Sequence, residues 1–121
     1  MTLVAVALAG ALGAPARFLV ERAISIRTGR RFPWGTLIVN VTGSLALGFV
    51  TGLAVYHGLS STPRAVVGTG FIGAYTTFST YAYETVDVAE RSSSQLAATY
   101  AILSVVAGVA AATLGLVLAA V

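Results

Sequence analysis

Long apolar stretches alternate with short polar connections along the whole sequence. Four of the stretches predict helical spans, at about residues 3–23, 34–56, 63–88 and 96–121. Each is long enough to cross a bilayer, which takes about 20 apolar residues in helical form. The pattern therefore predicts an all-α integral membrane protein, in which one domain, residues 1–121, contains four transmembrane helices.

The composition excludes an ordinary soluble enzyme. Hydrophobic residues make up 57% of the chain and charged residues only 9%, whereas soluble domains carry about 25% charged residues. Cysteine is absent and His57 is the one histidine. Neither a metal-ligand cluster nor a catalytic base with an orienting partner can be assembled from these residues. We therefore predict that the chain is not an enzyme.

Arginine is distributed unevenly along the chain. We predict no nucleic-acid partner, because such a protein spreads basic residues over a solvated face. Positive charge in short connections instead marks the cytoplasmic side of a membrane. We predict a multi-pass protein of the cell membrane, inserted one way, with both termini outside the cytoplasm. Arg64 lies at the outer end, and the six arginines predicted at the cytoplasmic end are Arg17, Arg22, Arg27, Arg30, Arg31 and Arg91.

The third predicted span is the least regular. It contains Gly68, Gly70 and Gly73, and these are followed by a threonine-rich run at residues 76–80. Each glycine costs about 1 kcal/mol in a helix relative to alanine. In a membrane, backbone outside a helix persists only where protein, water or an ion satisfies it. Two interpretations are open: a helix broken at mid-membrane to bind an ion, which the threonines favour, or glycines that serve close helix packing alone.

Polar side chains within the spans favour an anion over a cation as cargo. Asn40 is either part of an ion pathway or one partner of a structural hydrogen bond between helices. Amide and hydroxyl groups donate hydrogen bonds, which suits an anion. Carboxylates, which suit a cation, lie near the end of the third span, at Glu84, Asp87 and Glu90. Glu84 fits a pore mouth and a solvated helix end equally well, and Glu21 is predicted at the membrane interface.

One motif in each span resembles the CrcB/Fluc family of fluoride channels. The resemblance covers essentially the whole chain, with the motifs in the family's order. They are Gly10-x-x-Gly13-Ala14-x-x-Arg17, then Gly35-Thr36-Leu-x-Val39-Asn40-x-x-Gly43-Ser44, then Gly70-Phe71-x-Gly73-x-x-Thr76-Thr77-Phe78-Ser79-Thr80 with Glu84, and finally Tyr100-x-x-x-Ser104-x-x-x-Gly108.

The resemblance implies a passive, fluoride-selective channel that exports fluoride and lowers its cytoplasmic concentration. It implies an antiparallel dimer of four-helix subunits with two narrow pores, the third helix being broken at mid-membrane. It also implies a structural sodium ion at the dimer interface, bound by the carbonyl oxygens of Gly73 and Thr76. The residues that it assigns to the fluoride pathway are Asn40, Phe78, Ser79, Thr80, Tyr100, Ser104, Arg17 and Glu84.

Two features of the chain modify this expectation. Tyr81 also falls in the pathway, at an aromatic position that is usually Phe in the family. Its hydroxyl either donates to the anion or fills the constriction and disables that pore. The arginine bias also matters, because a subunit that pairs with itself in antiparallel fashion must insert both ways. The bias favours a heterodimer with an oppositely oriented paralogue, and a homodimer stays open.

Two other functions fit the sequence less well. A small four-helix drug exporter needs a carboxylate midway along its first helix, whereas Glu21 lies near the end of that helix. A subunit that serves assembly alone accounts for the glycines but not for Asn40 together with the threonine-rich run.

Overall fold

Five helices and no β-strand make up the structure, a computed structural model that describes all 121 residues. The all-α class predicted from the sequence is confirmed. In chain order the helices are α1 (Thr2–Thr28), α2 (Trp34–Tyr56), α3 (residues 61–75), α4 (Phe78–Arg91) and α5 (Ser94–Leu118).

Three of the helices, α1, α2 and α5, are each long and apolar enough to cross a membrane. Their large apolar side chains lie mostly on the outside, Leu8, Leu12 and Val105 among them. An apolar exterior of this kind is stable in lipid rather than in water. The chain is therefore a multi-pass membrane protein. Helices α3 and α4 are the two halves of the third predicted span, and each half by itself is shorter than a membrane span.

The helix ends lie a few residues from the ends of the predicted spans, except for α2, where the two agree. Helix α1 continues five residues past the expected end, because the polar side chains there do not interrupt the backbone hydrogen bonds of the helix. It ends where Gly29 adopts a φ of 76°, with the Gly29 N–H donating to the Ser25 carbonyl at 2.9 Å. The third span, which consists of α3 and α4, begins earlier and ends later than predicted, at Ser61 and Arg91. The fourth predicted span corresponds to α5, which runs from Ser94 to Leu118 instead of over residues 96–121.

The third span is interrupted, as the threonine-rich run predicts, but its glycines remain helical. They lie in a π-helix at Ala65–Ile72, which is followed by one α-helical turn at Gly73–Tyr75. The chain leaves helical geometry at Thr76 (φ −80°, ψ 160°) and Thr77 (φ −149°, ψ 118°), and α4 begins one residue later. The interruption therefore lies after the glycines, where two extended residues join α3 to α4.

Small residues allow two pairs of helices to approach backbone to backbone. Helix α2 packs along α5 at Gly48, where a Cβ would strike the carbonyl oxygen of Ala112. Helix α1 packs along α3 at Gly13, where a Cβ would strike the carbonyl oxygen of Phe71. Close packing of this kind is the main source of helix association in lipid. The alternative role predicted for the glycines, close packing, thus coexists with the interruption.

Candidate functional site

Asn40 holds the interruption of the third span in place. From α2, its Nδ2 donates to the carbonyl oxygen of Thr77 at 2.9 Å, and its Oδ1 accepts from the Thr77 N–H at 2.8 Å. The amide thus satisfies both backbone groups of a residue that has left the helix. The structural hydrogen bond between helices, one of the two roles left open for Asn40, is present.

Thr77 also begins the second half of the span. Its hydroxyl oxygen accepts from the Thr80 N–H at 3.2 Å, the usual arrangement of a helix N-cap. The same hydroxyl donates to the Thr80 Oγ1 at 3.0 Å and lies 3.3 Å from the Ser79 Oγ. The hydroxyls of Ser79 and Thr80, both predicted in the fluoride pathway, therefore gather around the cap.

Arg17 contacts the interruption from α1, whereas Asn40 contacts it from α2. Its Nη1 donates to the carbonyl oxygen of Thr76 at 3.2 Å, which brings together residues 59 apart in the sequence. The carbonyls at the end of a helix carry partial negative charge, so a guanidinium is favourable there. The structure thus places Arg17 at the end of α3, a position that helical spacing alone does not reveal.

A cavity of about 300 Å³ lies beside the interruption. Four of the predicted pathway residues line it, namely Asn40, Phe78, Tyr81 and Ser104. No residue with a charged side chain lines it, and the remaining lining residues are Gly43, Ser44, Leu47, Thr76, Thr77 and Val105. We call this space the inner cavity.

The predicted pathway residues Arg17, Ser79, Thr80, Tyr100 and Glu84 lie outside the lining of the inner cavity. Thr77 lines the inner cavity, although the sequence predicted no pathway role for it. The signal available for Thr77 was its place in the run Thr76-Thr77-Phe78-Ser79-Thr80, where any of the hydroxyl residues was a candidate.

Three aromatic rings, those of Phe78, Tyr81 and Tyr100, pack one after another, and the first two line the inner cavity. The ring centre of Tyr81 lies 5.6 Å from that of Phe78 and 5.6 Å from that of Tyr100. The Tyr81 hydroxyl donates to the carbonyl oxygen of Ala101 in α5, at 3.3 Å. Phe78 is 79% exposed, so one side of this group faces outward from the chain.

Tyr100 connects the aromatic group to a carboxylate. Its ring is fully buried, and its hydroxyl donates to Glu84 Oε2 at 3.0 Å. The Ser104 hydroxyl donates to the carbonyl oxygen of Tyr100 at 2.7 Å, within α5. Tyr81, Tyr100 and Glu84 therefore form a continuous series of contacts that leads away from the inner cavity.

Glu84 lines a second and larger cavity, of about 770 Å³, at the arginine-rich end of the bundle. We call it the vestibule cavity. Carboxylates and guanidinium groups both line it, and the one salt bridge of the structure, Arg91 to Asp87 at 2.7 Å, stands at its edge. Its charged lining residues are Glu21, Arg22, Arg30, Glu84, Asp87 and Arg91.

These features define a helical membrane protein with an uncharged cavity, lined in part by amide and hydroxyl groups, at a helix interruption and a charged cavity at one end. The family model described as CrcB-like protein, Camphor Resistance (CrcB), matches residues 4–116. The chain belongs to this family.

Several similar proteins are named as fluoride-specific ion channels. FluC 2 of Cutibacterium acnes is 45% identical over 119 residues, covering 98% of this chain and 97% of its own length. FluC 1 of Symbiobacterium thermophilum is 47% identical over 120 residues, covering 98% and 97%. FluC 1 of Leifsonia xyli subsp. xyli is 52% identical over 91 residues, covering 75% of this chain and 66% of its own length. The names describe channels rather than enzymes, in agreement with the sequence prediction.

Proposed function

We propose that this chain is a subunit of a passive fluoride-selective channel, which exports fluoride and lowers its cytoplasmic concentration. The observation that carries the proposal is the inner cavity, because it lies at a helix interruption, is lined in part by amide and hydroxyl side chains and contains no fixed charge. The names of the relatives support fluoride as the ion. Export follows from the membrane potential, since a cell interior that is negative drives an anion outward through a passive pore.

The inner cavity offers hydrogen-bond donors to an ion that must shed water. Asn40 uses one N–H of its NH₂ group for Thr77, which leaves the second N–H available. The Ser44 hydroxyl lines the cavity without a protein hydrogen-bond partner. Ring edges of Phe78 and Tyr81 add partial positive charge. Donors of this kind compensate for lost hydration without a fixed cation, which would bind the anion too firmly to release it.

The functional unit is an antiparallel dimer, with both termini of this subunit outside the cytoplasm. The exposure of Phe78, together with that of the neighbouring Gly73 and Ser79, supports a partner on this side. The arginine bias supports a heterodimer with an oppositely oriented paralogue, because a homodimer requires insertion in both directions.

Orientation is testable because the chain has no cysteine of its own. Single cysteines are introduced at two exposed residues at opposite ends of the bundle, Ser61→Cys at the start of α3 and Ser92→Cys just after the end of α4. An impermeant thiol reagent added to intact cells should label the first and spare the second. Equal labelling of both sites would show that the subunit inserts both ways and would remove the reason for a heterodimer.

A structural sodium ion would bind to the carbonyl oxygens of Gly73 and Thr76. In a continuous helix the Thr77 N–H would reach the Gly73 carbonyl, but here it donates to Asn40. Gly73 is also exposed, as a shared ion at a subunit interface requires. The Thr76 carbonyl accepts from Arg17 and keeps a second lone pair for a cation. Replacing sodium with a large organic cation should lower both fluoride flux and thermal stability, and unchanged values of both would argue against the site.

Efflux from liposomes tests the channel itself. Sodium-loaded liposomes that contain the purified chain, alone if it forms a homodimer or together with an oppositely oriented paralogue if it forms a heterodimer, should release fluoride and retain chloride, and Asn40→Ala should abolish the release. Thr51→Val is the matched control, because Thr51 lies on the same helix, outside the cavity, and donates only to the Leu47 carbonyl one turn away. If the chain alone releases nothing, the assay is repeated with an oppositely oriented paralogue. Loss of selectivity for fluoride over chloride, or full activity of Asn40→Ala, would contradict the proposal.

A further inference from the structure

Glu21 has a buried carboxylate oxygen without a hydrogen-bond partner. Its Oε1 is the one such side-chain atom in the structure. Sequence analysis placed Glu21 at the membrane interface, where a carboxylate is simply hydrated. A buried oxygen of this type is instead costly, since it has given up water without gaining a donor. Burial of this kind disfavours the charged form, so it favours the protonated acid at Glu21.

The expected partner of Glu21 within its own helix is engaged elsewhere. Arg17 stands four residues earlier in α1, a spacing at which side chains of opposite charge usually pair. Its guanidinium donates to the Thr76 carbonyl instead, and Glu21 takes part in no salt bridge. Glu21 is also held in position, because a Cβ at Gly35 of α2 would lie 3.0 Å from the Glu21 carbonyl oxygen.

The side chain of Glu21 lines the vestibule cavity, which Glu84 also lines. Glu84 is hydrogen-bonded to Tyr100 and Asp87 is paired with Arg91, so Glu21 is the carboxyl group in this cavity with a buried oxygen that lacks a partner. Fluoride accepts hydrogen bonds and cannot donate them. It therefore pairs with a carboxylic acid O–H, whereas it is repelled by a carboxylate.

We propose that protonated Glu21 binds fluoride in the vestibule cavity, and that its deprotonation weakens this binding and slows conduction. The inference rests on the proposed function of the chain as a fluoride channel. Fluoride flux should fall as pH rises through the titration of Glu21. One unit charge several ångströms from an ion in a wet cavity changes its occupancy by about two- to tenfold, which is the expected size of the fall.

The surroundings of Glu21 contain further titratable or charged groups, which the test must separate from it. From α1 these are Arg17 and Arg22. The α1–α2 connection contributes Arg30, and α2 contributes no titratable or charged group. From α4 they are Tyr83, Glu84, Asp87 and Arg91, and from α5 it is Tyr100.

The test compares fluoride efflux of wild type, Glu21→Gln and Asp87→Asn between mildly acidic and mildly basic pH, with the release from empty liposomes subtracted at each pH. Glutamine has the shape of glutamate, has an N–H donor and cannot ionise. The fluoride flux of Glu21→Gln should therefore be high and independent of pH. Asp87 lines the same cavity but is paired with Arg91. Asp87→Asn should therefore keep the wild-type pH profile.

A second readout does not depend on conduction. Infrared difference spectra of the wild type should contain a protonated-carboxyl band that shifts when fluoride replaces chloride and that is absent from Glu21→Gln. A wild-type pH profile in Glu21→Gln, or an unshifted band, would overturn the inference while leaving the channel function intact. If the wild type releases no fluoride at any pH, either alone or together with an oppositely oriented paralogue, the proposed function fails, and the infrared band still decides whether Glu21 binds the ion.

Discussion

Replacing Asn40 should free the interruption of the third span. In Asn40→Ala the Thr77 N–H and carbonyl each lose their partner, at 2.8 and 2.9 Å, while the backbone of α2 is unchanged. The two extended residues would then be anchored by the Arg17 bond to Thr76 and by the cap at Thr77 itself. We expect this segment to open more often, and fluoride flux to be lost with it.

The size of the effect follows from the two hydrogen bonds. A buried backbone group without a partner costs about 1–3 kcal/mol, but hydrogen bonds between membrane helices average only about 0.6 kcal/mol by double-mutant cycles. The inner cavity lets water reach Thr77, which favours the lower part of this range. We therefore expect Asn40→Ala to lower the free energy of local opening by about 2 kcal/mol, or roughly 30-fold in the opening equilibrium.

Asn40→Asp separates the structural effect from the electrostatic one. Aspartate still accepts from the Thr77 N–H but no longer donates to the Thr77 carbonyl, so about half of the destabilisation should remain. It also places a negative charge in a cavity that otherwise has none. Local opening should therefore be smaller than in Asn40→Ala, whereas fluoride flux should be at least as low.

Hydrogen–deuterium exchange of residues 76–80 in nanodiscs measures the local opening directly. Thr51→Val serves again as the control, because it removes a hydroxyl from α2 without touching the interruption. Exchange at the Thr77 amide that stays at the wild-type rate in Asn40→Ala would refute the reasoning. It would show that the Asn40 hydrogen bonds contribute nothing to holding the extended residues.

Three further substitutions test the cap, the helix packing and the aromatic group. Thr77→Val should destabilise α4 by about 1 kcal/mol through loss of its N-cap, and Thr77→Ser should restore it; thermal unfolding in detergent measures both. Gly48→Ala should lower the free energy of unfolding by about 1–3 kcal/mol, because its new Cβ strikes the α5 backbone. Gly108→Ala is the control and should be tolerated, since its Cβ has no neighbour closer than 3.6 Å. Similar melting temperatures for the two variants would contradict this prediction. Tyr81→Phe should change fluoride efflux little, since the single O–H of Tyr81 donates to the Ala101 carbonyl and is not free for the ion. A large rise in efflux would mean that the hydroxyl obstructs the pore, and a large fall would mean that it binds the ion.

Much of the architecture is readable from the sequence because it depends on local patterns. The all-α class follows from apolar stretches whose length matches a bilayer, and these stretches need no knowledge of their neighbours. The bounds of α2 agree with the prediction because Pro33 and Trp34 mark its start and the polar His57 and Gly58 follow its end. The threonine-rich run likewise favoured an interruption of the third span, which was one of the two interpretations left open.

Its position was decided by tertiary contacts. Glycine has a weaker helix propensity than threonine, yet Gly70 stays helical, with a Cβ position only 2.7 Å from the Val6 carbonyl oxygen of α1. The extended residues follow at Thr76 and Thr77, where Arg17 and Asn40 supply hydrogen bonds from 59 and 37 residues away. Propensity acts along the chain, whereas satisfying an open backbone in lipid requires partners from other helices.

The candidate site shows the same division. The sequence alone singled out Asn40, because an amide is expensive in an apolar span, and the family resemblance of the sequence added Phe78, Tyr81 and Ser104. Only the tertiary structure decided that these four line one cavity, that Arg17 ends α3 and that one oxygen of Glu21 is left without a partner. Residue types are a property of the chain, but which donor reaches which acceptor depends on how the helices pack, and that geometry exists only in the folded protein.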